Sequence, residues 1–409
     1  MENPMNDENI NELVRIIHDY RRNELSFIIG PQHVRRWLAQ FQENTQEIIL
    51  YETTQILKSW FLSERSFIQF YDAVLKYLTK KYSLDEQELL RKVVFIDTQG
   101  SSHSQSIMLK QLNDLIIDRY GFDIQKKATP TTMAYVYLDD GLFTGVKARK
   151  ELKEVISTLP KGASLDVFYL LGATQGMDYS TEQLRPFAQG QRIDLQFFQM
   201  KPIYNHKKAS IEYHDGAWTK SYYSEHSCLW PERSVESAAE IKEYIDSNIR
   251  PYLKSDTYLF RYGHWTNDCG IFSSIDNRRI VELEFLKKGI EIANHCRDNG
   301  LYPLGFNSWH SLGFGSICAT YMNIPNTCPL VLWWGNNVKQ GNILDFWYPL
   351  LPRRTNTAEE LQDFEESENE IYTFQSSTNQ HNMCPDCGRF FGIENDGGNG
   401  FCLDCAWKH

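Results

Sequence analysis

The chain has few basic residues and no long apolar run. Its 409 residues include 42 Lys and Arg against 53 Asp and Glu, which gives a formal net charge of −11. A protein that coats nucleic acid needs a basic surface, so this class is excluded. No apolar stretch reaches the roughly 18 residues that a membrane-spanning helix needs. The N-terminal residues are polar and acidic, with no apolar run after them, so we expect a cytoplasmic protein without a secretory signal.

Other classes are excluded by what the chain contains. Apolar residues make up 42% of the chain and aromatic residues 13%, which excludes a wholly disordered protein. The composition also excludes a collagen-like chain and a disulfide scaffold. The length favours roughly two or three globular domains.

Negative charge is concentrated near the end of the chain. No Lys or Arg lies between Thr355 and Met383, where seven acidic residues are Glu359, Glu360, Asp363, Glu365, Glu366, Glu368 and Glu370. Such a segment repels itself and resists collapse, which predicts an acidic linker over 353–382. The alternative is a solvated helix over 357–369. Either structure would mark a domain boundary.

The first ninety residues have helical periodicity and predict a helical cap over 1–90. Ile10, Leu13, Ile16 and Ile17 form one apolar stripe. Further helices are predicted from Pro31 and over 67–82, and Ser83 with Glu86 has the spacing of a capping box. No catalytic constellation is found in this region.

Short apolar runs alternate with helices from about residue 91. The runs are Val93–Ile96, Met133–Leu138, Leu165–Leu171 and, more weakly, Leu195–Phe198, with a helix over 146–157 between the second and third. This alternation predicts an α/β domain over 91–352 with a parallel sheet covered on both faces. Ligands bind such sheets at the carboxyl ends of the strands.

The pattern is harder to interpret after residue 200. The run Ile280–Phe285 predicts a strand, and Cys328–Trp334 predicts a buried strand. Glu282 and Glu284 would then share one face of a strand, either as a second acid pair or as the polar face of an edge strand.

Two adjacent carboxylates follow the second apolar run. Asp139 and Asp140 precede a short loop of Gly141, Leu142 and Phe143, then Thr144, Gly145 and a helix. Carboxylates accept hydrogen bonds from vicinal ribose hydroxyls or bind Mg²⁺, and the amides of a helix N-terminus attract phosphate. The alternative is a plain strand-loop-helix turn in which Asp140 caps the helix.

This segment resembles the phosphoribosyl diphosphate (PRPP) signature of type I phosphoribosyltransferases. The resemblance implies that Asp139 and Asp140 contact the ribose hydroxyls and are the catalytic pair. It also implies that the loop from Gly141 to Gly145, including Thr144, surrounds the 5′-phosphate. Mg²⁺, bound together with PRPP or a nucleotide, is the implied cofactor.

The loop after the first strand lies where this family has its diphosphate loop. Its candidate phosphate ligands are Thr98, Gly100, Ser101, Ser102 and His103. Small hydroxyl residues and backbone donors before a helix form an anion-binding concavity. The loop departs from expectation because no Lys or Arg lies between Lys92 and Lys110. Charge neutralisation would have to come from Mg²⁺ or from elsewhere, and His103 is either a phosphate ligand or an ordinary surface residue.

Further motifs resemble a divergent phosphoribosyltransferase-like family of predicted effectors in bacterial conflict and anti-phage systems. They are the segment Trp37–Phe41 and the sequence from Asn323 through Pro325 and Asn326 to Trp334. The resemblance implies a toxic effector, in a retron-like system with a reverse transcriptase and a DNA-binding partner. Asn323, Asn326 and His310 would line a base or acceptor pocket, or would be turn residues before a strand.

Four cysteines at the end form two CxxC knuckles. The first knuckle consists of Cys384 and Cys387 and the second of Cys402 and Cys405, and fourteen residues separate the two knuckles. This spacing can place four thiolates tetrahedrally around a structural Zn²⁺, and it predicts a zinc ribbon over 383–409. Two disulfides are the alternative, which would need an oxidising compartment. A zinc ribbon would bind nucleic acid, a partner protein or the main domain.

The sequence supports two hypotheses on function, which belong to different classes. The first is a phosphoribosyltransferase-like enzyme that acts at C1′ of PRPP or of a nucleotide ribose-phosphate. The second is a non-catalytic nucleotide-sensing or partner-binding module with the same fold. A nuclease ranks last, since no His-Asn-His or carboxylate-Lys constellation is recognisable.

Overall fold

The structure is a computed structural model. It describes residues 7–99, 104–205, 210–214, 217–221, 226–249, 259–261, 266–295, 301–306, 312–335 and 346–353. The predicted linker and zinc ribbon therefore lie outside the described residues. The chain divides into two units. The first comprises Met1–Gln40, Leu50–Tyr204 and Ile317–Pro325, and the second Phe41–Ile49, Asn205–Ser316 and the remainder from Asn326. The sequence-predicted boundaries at 90, 352 and 382 stay predictions.

The chain begins with a series of helices. They are α1 (Asp7–Ile17), α2 (Pro31–Leu38), α3 (Gln46–Trp60), α4 (Glu64–Tyr82) and α5 (Glu86–Leu90), with a short strand β1 (Phe61–Leu62) before α4. Ser83 was expected to cap α5 but instead ends α4, in a left-handed conformation. Asp85 caps α5, because its carboxylate accepts a hydrogen bond from the Glu88 amide.

A parallel four-stranded sheet forms the centre of the first unit. Its strands are adjacent in chain order: β2 (Val93–Ile96), β3 (Ala134–Leu142), β4 (Ser164–Ala173) and β5 (Asp194–Ile203). All three strand pairs are parallel, with Val93 opposite Ala134 and Asp139 opposite Tyr169. The four apolar runs in the sequence therefore predicted these strands correctly. The connecting helices are α6 (Ser104–Tyr120), α7 (Val146–Thr158) and α8 (Thr174–Gly190).

Both faces of the sheet are covered, as expected. On one face, side chains at every second position pack with α7 and α8 in one apolar core; they include Tyr135, Tyr137, Leu165, Val167 and Tyr169 from the sheet and Leu152, Val155 and Leu184 from the helices. On the other face, the ring of Tyr77 in α4 lies 5.7 Å from Phe168 and 4.4 Å from Phe198, between ring centroids. The helical N-terminal region thus supplies one wall of the sheet.

A buried ion pair adds to this contact between α4 and the sheet. Asp166 in β4 is fully buried, and its carboxylate accepts hydrogen bonds from Lys81 Nζ at 2.7 Å and from Tyr82 OH at 2.9 Å. Burial alone would lower the pKa of Lys81, but the bond and charge of Asp166 outweigh it and raise that pKa. Asp166 therefore fixes the C-terminal turn of α4 against β4.

The described part of the second unit contains two helices of substantial length. They are α9 (Ala239–Asn248) and α10 (Ile275–His295), and a hairpin of β6 (Ser210–His214) and β7 (Ala217–Ser221) precedes them. The strand predicted over Ile280–Phe285 is wrong, because these residues lie inside α10. The predicted strand Cys328–Trp334 is wrong as well, since a short helix, α11 (Leu330–Trp333), begins after Pro329. Strand β8 (Ala319–Thr320) belongs to the first unit, where it pairs in parallel with β1.

Charged residues of the second unit form an arginine network of Glu232, Arg261, Arg278 and Glu282. The Glu282 carboxylate accepts a bond from the Trp230 amide at 2.8 Å and lies 3.4 Å from a guanidinium nitrogen of each arginine. Arg278 also donates to Glu232. Burial raises the pKa of Glu282, and the two arginines act against this rise.

Within the described ranges, no helix combines the length and the apolar character that crossing a bilayer would require.

Candidate functional site

The two predicted catalytic carboxylates lie at the carboxyl end of β3. Strand pairing with β4 continues beyond them to Leu142, so both acids belong to the strand and not to the loop after it. Asp139 is 7% exposed and Asp140 is half-buried. The pair therefore lies where parallel sheets bind their ligands.

Two side chains donate hydrogen bonds to the Asp139 carboxylate, and a third lies close to it. Gln99 Nε2 donates to Oδ2 at 3.2 Å, and Ser104 Oγ donates to Oδ1 at 3.3 Å. Tyr137 OH lies 3.4 Å from Oδ2. Gln99 follows β2 and Ser104 is the first residue of α6, so groups that follow the neighbouring strand converge on this carboxylate. The orientation of Asp139 is thereby fixed.

Burial raises the pKa of Asp139 to about 7, and the nearby charge of Asp140 contributes further to the rise. Lys147, in the first turn of α7, acts in the opposite direction. A buried carboxylate beside a second carboxylate favours its protonated form until a cation or a hydrogen-bond donor arrives. Asp139 is therefore poised to change its protonation state when a ligand binds near neutral pH.

A third carboxylate, Glu151 in α7, extends the same hydrogen-bond network. It accepts hydrogen bonds from Tyr137 OH at 2.7 Å and from the Gln99 amide at 3.2 Å, and Lys147 Nζ lies 3.7 Å from it. No motif in the sequence marks these residues as part of a site. Tyr137 had a usable signal, because a residue two positions before Asp139 shares its strand face. Lys147 supplies a positive charge that the loop after β2 lacks.

The start of the predicted diphosphate loop is held against β3. The Thr98 amide and hydroxyl both donate to Gln105 Oε1, at 2.7 and 3.0 Å, and Gln105 Nε2 donates to the Leu138 carbonyl at 3.1 Å. Gln105 is fully buried. Gly100, Ser101, Ser102 and His103 lie outside the described residues, so their role as phosphate ligands stays a prediction.

The segment after the acids makes a tight turn into α7. Gly145 precedes the first residue of the helix and has a φ of +77°, which glycine adopts without strain. A Cβ there would lie 2.3 Å from Ser180 Oγ and 2.8 Å from the Gly176 carbonyl. Phe143 and Thr144 are half-buried and Leu142 is buried. The turn therefore places the first amides of α7 immediately after the strand that carries Asp139 and Asp140.

The site candidates that lie far along the chain from Asp139 are not brought to this site by the described structure. Asn323 forms a turn, because its Oδ1 accepts a bond from the Ile324 amide and its own amide donates to Thr320 Oγ1, each at 3.0 Å. This geometry agrees with the interpretation of Asn323 as a turn residue. His310 and the four knuckle cysteines lie outside the described residues.

The donor set at the Asp139–Asp140 site consists of hard oxygen atoms. Two adjacent carboxylates and the amide oxygen of Gln99, which is buried without a hydrogen-bond donor among the described residues, suit Mg²⁺ better than a softer metal. Mg²⁺ is commonly bound by one or two carboxylates together with phosphate oxygens of a substrate. The residues present therefore fit the cofactor that the sequence implies.

One comparison with known proteins matches the chain. The PRTase-CE family model matches residues 34–353, which includes the whole sheet, α7 and the Asp139–Asp140 segment. The searches of curated proteins and of solved structures gave no match. The mixed α/β architecture with its parallel sheet is consistent with a phosphoribosyltransferase-like fold. Because the match covers well over half of the sequence, the chain belongs to the phosphoribosyltransferase-like family PRTase-CE.

Proposed function

We propose that this protein is an enzyme that binds PRPP or a nucleotide ribose-phosphate and makes or breaks the bond at C1′ of the ribose. The observation that carries the proposal is the buried Asp139, which lies beside Asp140 at the carboxyl end of β3 with its pKa raised to about 7. The negative charge of Asp140 beside the buried Asp139 is unfavourable in the free protein, and a ligand that supplies donors or a cation would relieve this.

Each part of the substrate would meet a different group of residues. Asp139 and Asp140 would accept hydrogen bonds from the ribose hydroxyls. The 5′-phosphate would bind at the turn from Gly141 to Gly145, with the Thr144 hydroxyl and the first amides of α7 as donors. Lys147, in the first turn of α7, would add positive charge. Mg²⁺, held by Asp139 and Asp140, would neutralise the charge on the phosphate oxygens of the ligand.

The chemistry requires little from the protein beyond positioning and electrostatics. When the bond from C1′ to its leaving group breaks, the leaving group keeps the electron pair and positive charge develops on the ribose ring. An acceptor then supplies the pair for the new bond to C1′. The carboxylates of Asp139 and Asp140 would hold the sugar in place and favour that developing charge.

The test is turnover and binding in the double variant D139N/D140N. Purified protein is incubated with Mg²⁺ and PRPP, or with nucleotides, and products are followed by phosphorus NMR and chromatography. The variant D114N/D118N is the matched control, because it removes the same charge from exposed positions on α6. We expect turnover by D139N/D140N to be at least 100-fold slower than turnover by the parent protein. Turnover by D114N/D118N should equal that of the parent. Equal turnover in both variants would contradict the proposal.

A second candidate is a non-catalytic nucleotide sensor. The observation that favours it is that protein donors already occupy the Asp139 carboxylate, through Gln99 and Ser104. A sensor would bind ligand saturably, lose that binding in D139N/D140N, and give no product with any acceptor. Product formation by the parent protein would exclude this alternative.

The cellular role that we propose is a toxic effector of anti-phage defence, and it rests on the sequence resemblance. A reverse transcriptase and a DNA-binding protein would be its partners in a retron-like system. Cells carrying the complete system would be challenged with phage, using the parent protein, D139N/D140N and the D114N/D118N control. Loss of protection in the site variant alone supports this role, and protection by all three proteins contradicts it.

We also propose a structural Zn²⁺ held by Cys384, Cys387, Cys402 and Cys405, with the ribbon serving as a docking module for protein or nucleic acid. The spacing of the two knuckles supports this. Metal analysis should find about one zinc per chain and none in C384S/C387S. Oxidised cysteines in a zinc-free parent protein would contradict it.

A further inference from the structure

A groove in the second unit lies between α9 and α10, and we call it the α9–α10 groove. Its volume is about 640 Å³, which is in the range of small-molecule sites. Acidic residues from both helices line it, namely Glu240, Glu243, Glu284 and Glu291, and two lysines of α10 lie among them. An apolar side chain, Ile290, and the ring-bearing Tyr244 also contribute to its walls. The groove is therefore polar and contains more acidic than basic residues.

Glu284 distinguishes this groove from an ordinary charged surface. Its side chain is only 4% exposed, although it lines the groove. Its Oε2 has no hydrogen-bond partner among the described residues. A buried carboxylate oxygen without a donor is costly, and a bound cation or hydrogen-bond donor would relieve this cost.

The other carboxylates of the groove have surroundings different from those of Glu284, and two of them form ion pairs with lysines. Lys287 Nζ lies 3.0 Å from Glu240, and Lys288 Nζ lies 2.9 Å from Glu291. Both lysines of the groove thus have an acidic partner other than Glu284. Glu243 lies at the exposed rim of the groove.

From this arrangement we infer that the α9–α10 groove binds an aliphatic di- or polyamine, with one ammonium group on Glu284. An ammonium group donates three hydrogen bonds and carries the single positive charge that an unpaired carboxylate needs. The methylene chain would lie along Ile290 and Tyr244, and a second ammonium would reach Glu243 at the rim. A divalent metal suits the site less well, because it needs several oxygen ligands and two of the carboxylates already bind lysines.

The binding test uses the full-length protein and spermidine, with putrescine as a shorter probe, in calorimetric titrations at low ionic strength. The variant E284Q removes the charge and keeps the shape of the side chain. The variant E154Q removes the same charge from an exposed position on α7, so it controls for nonspecific attraction of polyamines to an acidic protein. We expect saturable binding to the parent and to E154Q, and at least tenfold weaker binding to E284Q.

Thermal unfolding of the same three proteins provides an independent readout. Without ligand, E284Q should unfold at a higher temperature than the parent, because a buried, unpaired carboxylate has been neutralised. Spermidine should raise the unfolding temperature of the parent and of E154Q more than that of E284Q. The inference is overturned if spermidine does not bind, if E284Q binds it as tightly as E154Q does, or if E284Q is less stable than the parent.

Discussion

Asp139 and Glu282 are both buried carboxylates, and their surroundings are opposite in character. Glu282 lies between two buried arginines, each with a guanidinium nitrogen at 3.4 Å from its carboxylate. Asp139 has neutral donors around it and a second carboxylate, Asp140, beside it. Burial raises the pKa of both acids, but the arginines act against the rise at Glu282, whereas Asp140 adds to the rise at Asp139.

This comparison separates a structural site from a candidate ligand site. In the arginine network, two guanidinium groups inside the protein already compensate the charge of Glu282. The Asp139–Asp140 site places two acids side by side at the carboxyl end of β3, where parallel sheets bind their ligands. Perturbed pKa values alone would not have distinguished the two regions, because both acids shift in the same direction.

The largest expected effect is on stability and comes from breaking the arginine network. The variant E282Q leaves Arg261 and Arg278 buried with less compensating charge, and we expect it to lower the free energy of unfolding by about 3 kcal/mol. Urea unfolding of the full chain would measure this. The control E236Q removes a half-buried glutamate of the same unit that pairs with the exposed Arg233, and it should change stability by less than about 0.5 kcal/mol. Equal stability of the two variants would show that the network contributes little.

The second-largest expected effect on stability comes from the turn that contains Gly145. Replacing Gly145 by Ala places a Cβ at a φ of +77° and within 2.3 Å of Ser180 Oγ. We expect a loss of about 2 kcal/mol in unfolding free energy. The variant G162A is a useful control, because Gly162 has a φ of +86° but open space around its Cβ position. If G145A and G162A lose the same amount, backbone conformation alone accounts for the requirement.

Replacing Asp139 should have the opposite sign to replacing Glu282. Its pKa is about 7 when folded and about 3.9 when unfolded, so the folded state binds more protons between those values. The contribution of Asp139 to stability therefore falls as pH rises from about 4 to about 7. We expect D139N to be more stable than the parent by about 1–2 kcal/mol at pH 8, with a smaller difference at pH 5. A difference that does not depend on pH would contradict the shifted pKa.

The smallest expected effect on stability belongs to Lys147, which is largely exposed and lies 3.7 Å from Glu151. The variant K147Q should change the free energy of unfolding by less than about 0.5 kcal/mol. Its affinity for a phosphorylated ligand should fall about tenfold, which corresponds to about 1.4 kcal/mol. The exposed lysine at position 153 of the same helix gives the control variant K153Q, whose affinity should stay close to that of the parent. Equal affinities for K147Q and K153Q would remove Lys147 from the site.

The sequence predicted the sheet well because its strands are buried on both faces. Such strands appear as short continuous apolar runs, and Val93–Ile96 matches β2 residue for residue. The same rule failed at Cys328–Trp334, because a short apolar run does not distinguish a strand from a buried helical turn. At Ile280–Phe285, alternating glutamates imitated the period of a strand inside a longer helix. The partners that bury Glu282 are brought to it by the tertiary fold, so no local pattern could reveal them.

The candidate site was predictable only in part, because a local sequence pattern marks only the residues that lie in one continuous segment. Asp139, Asp140 and Gly145 occupy one continuous segment, and their spacing carries the signal. Gln99 and Ser104 reach Asp139 from the loop after β2 and the start of α6, and Glu151 joins the network through Gln99 and Tyr137. Such contacts depend on tertiary structure. No local pattern marks Lys147, because only the fold brings the first turn of α7 beside Asp139.

The most direct test of the Asp139–Asp140 site is a calorimetric titration with PRPP and Mg²⁺ at pH 6, repeated in buffers of different ionisation enthalpy. With its pKa near 7, Asp139 is mostly protonated at that pH, and ligand binding should drive off its proton. We predict saturable binding with release of close to one proton by the parent and by D114N/D118N, and none by D139N/D140N. Absence of PRPP binding to the folded parent, or the same affinity and proton release in D139N/D140N, would contradict the site.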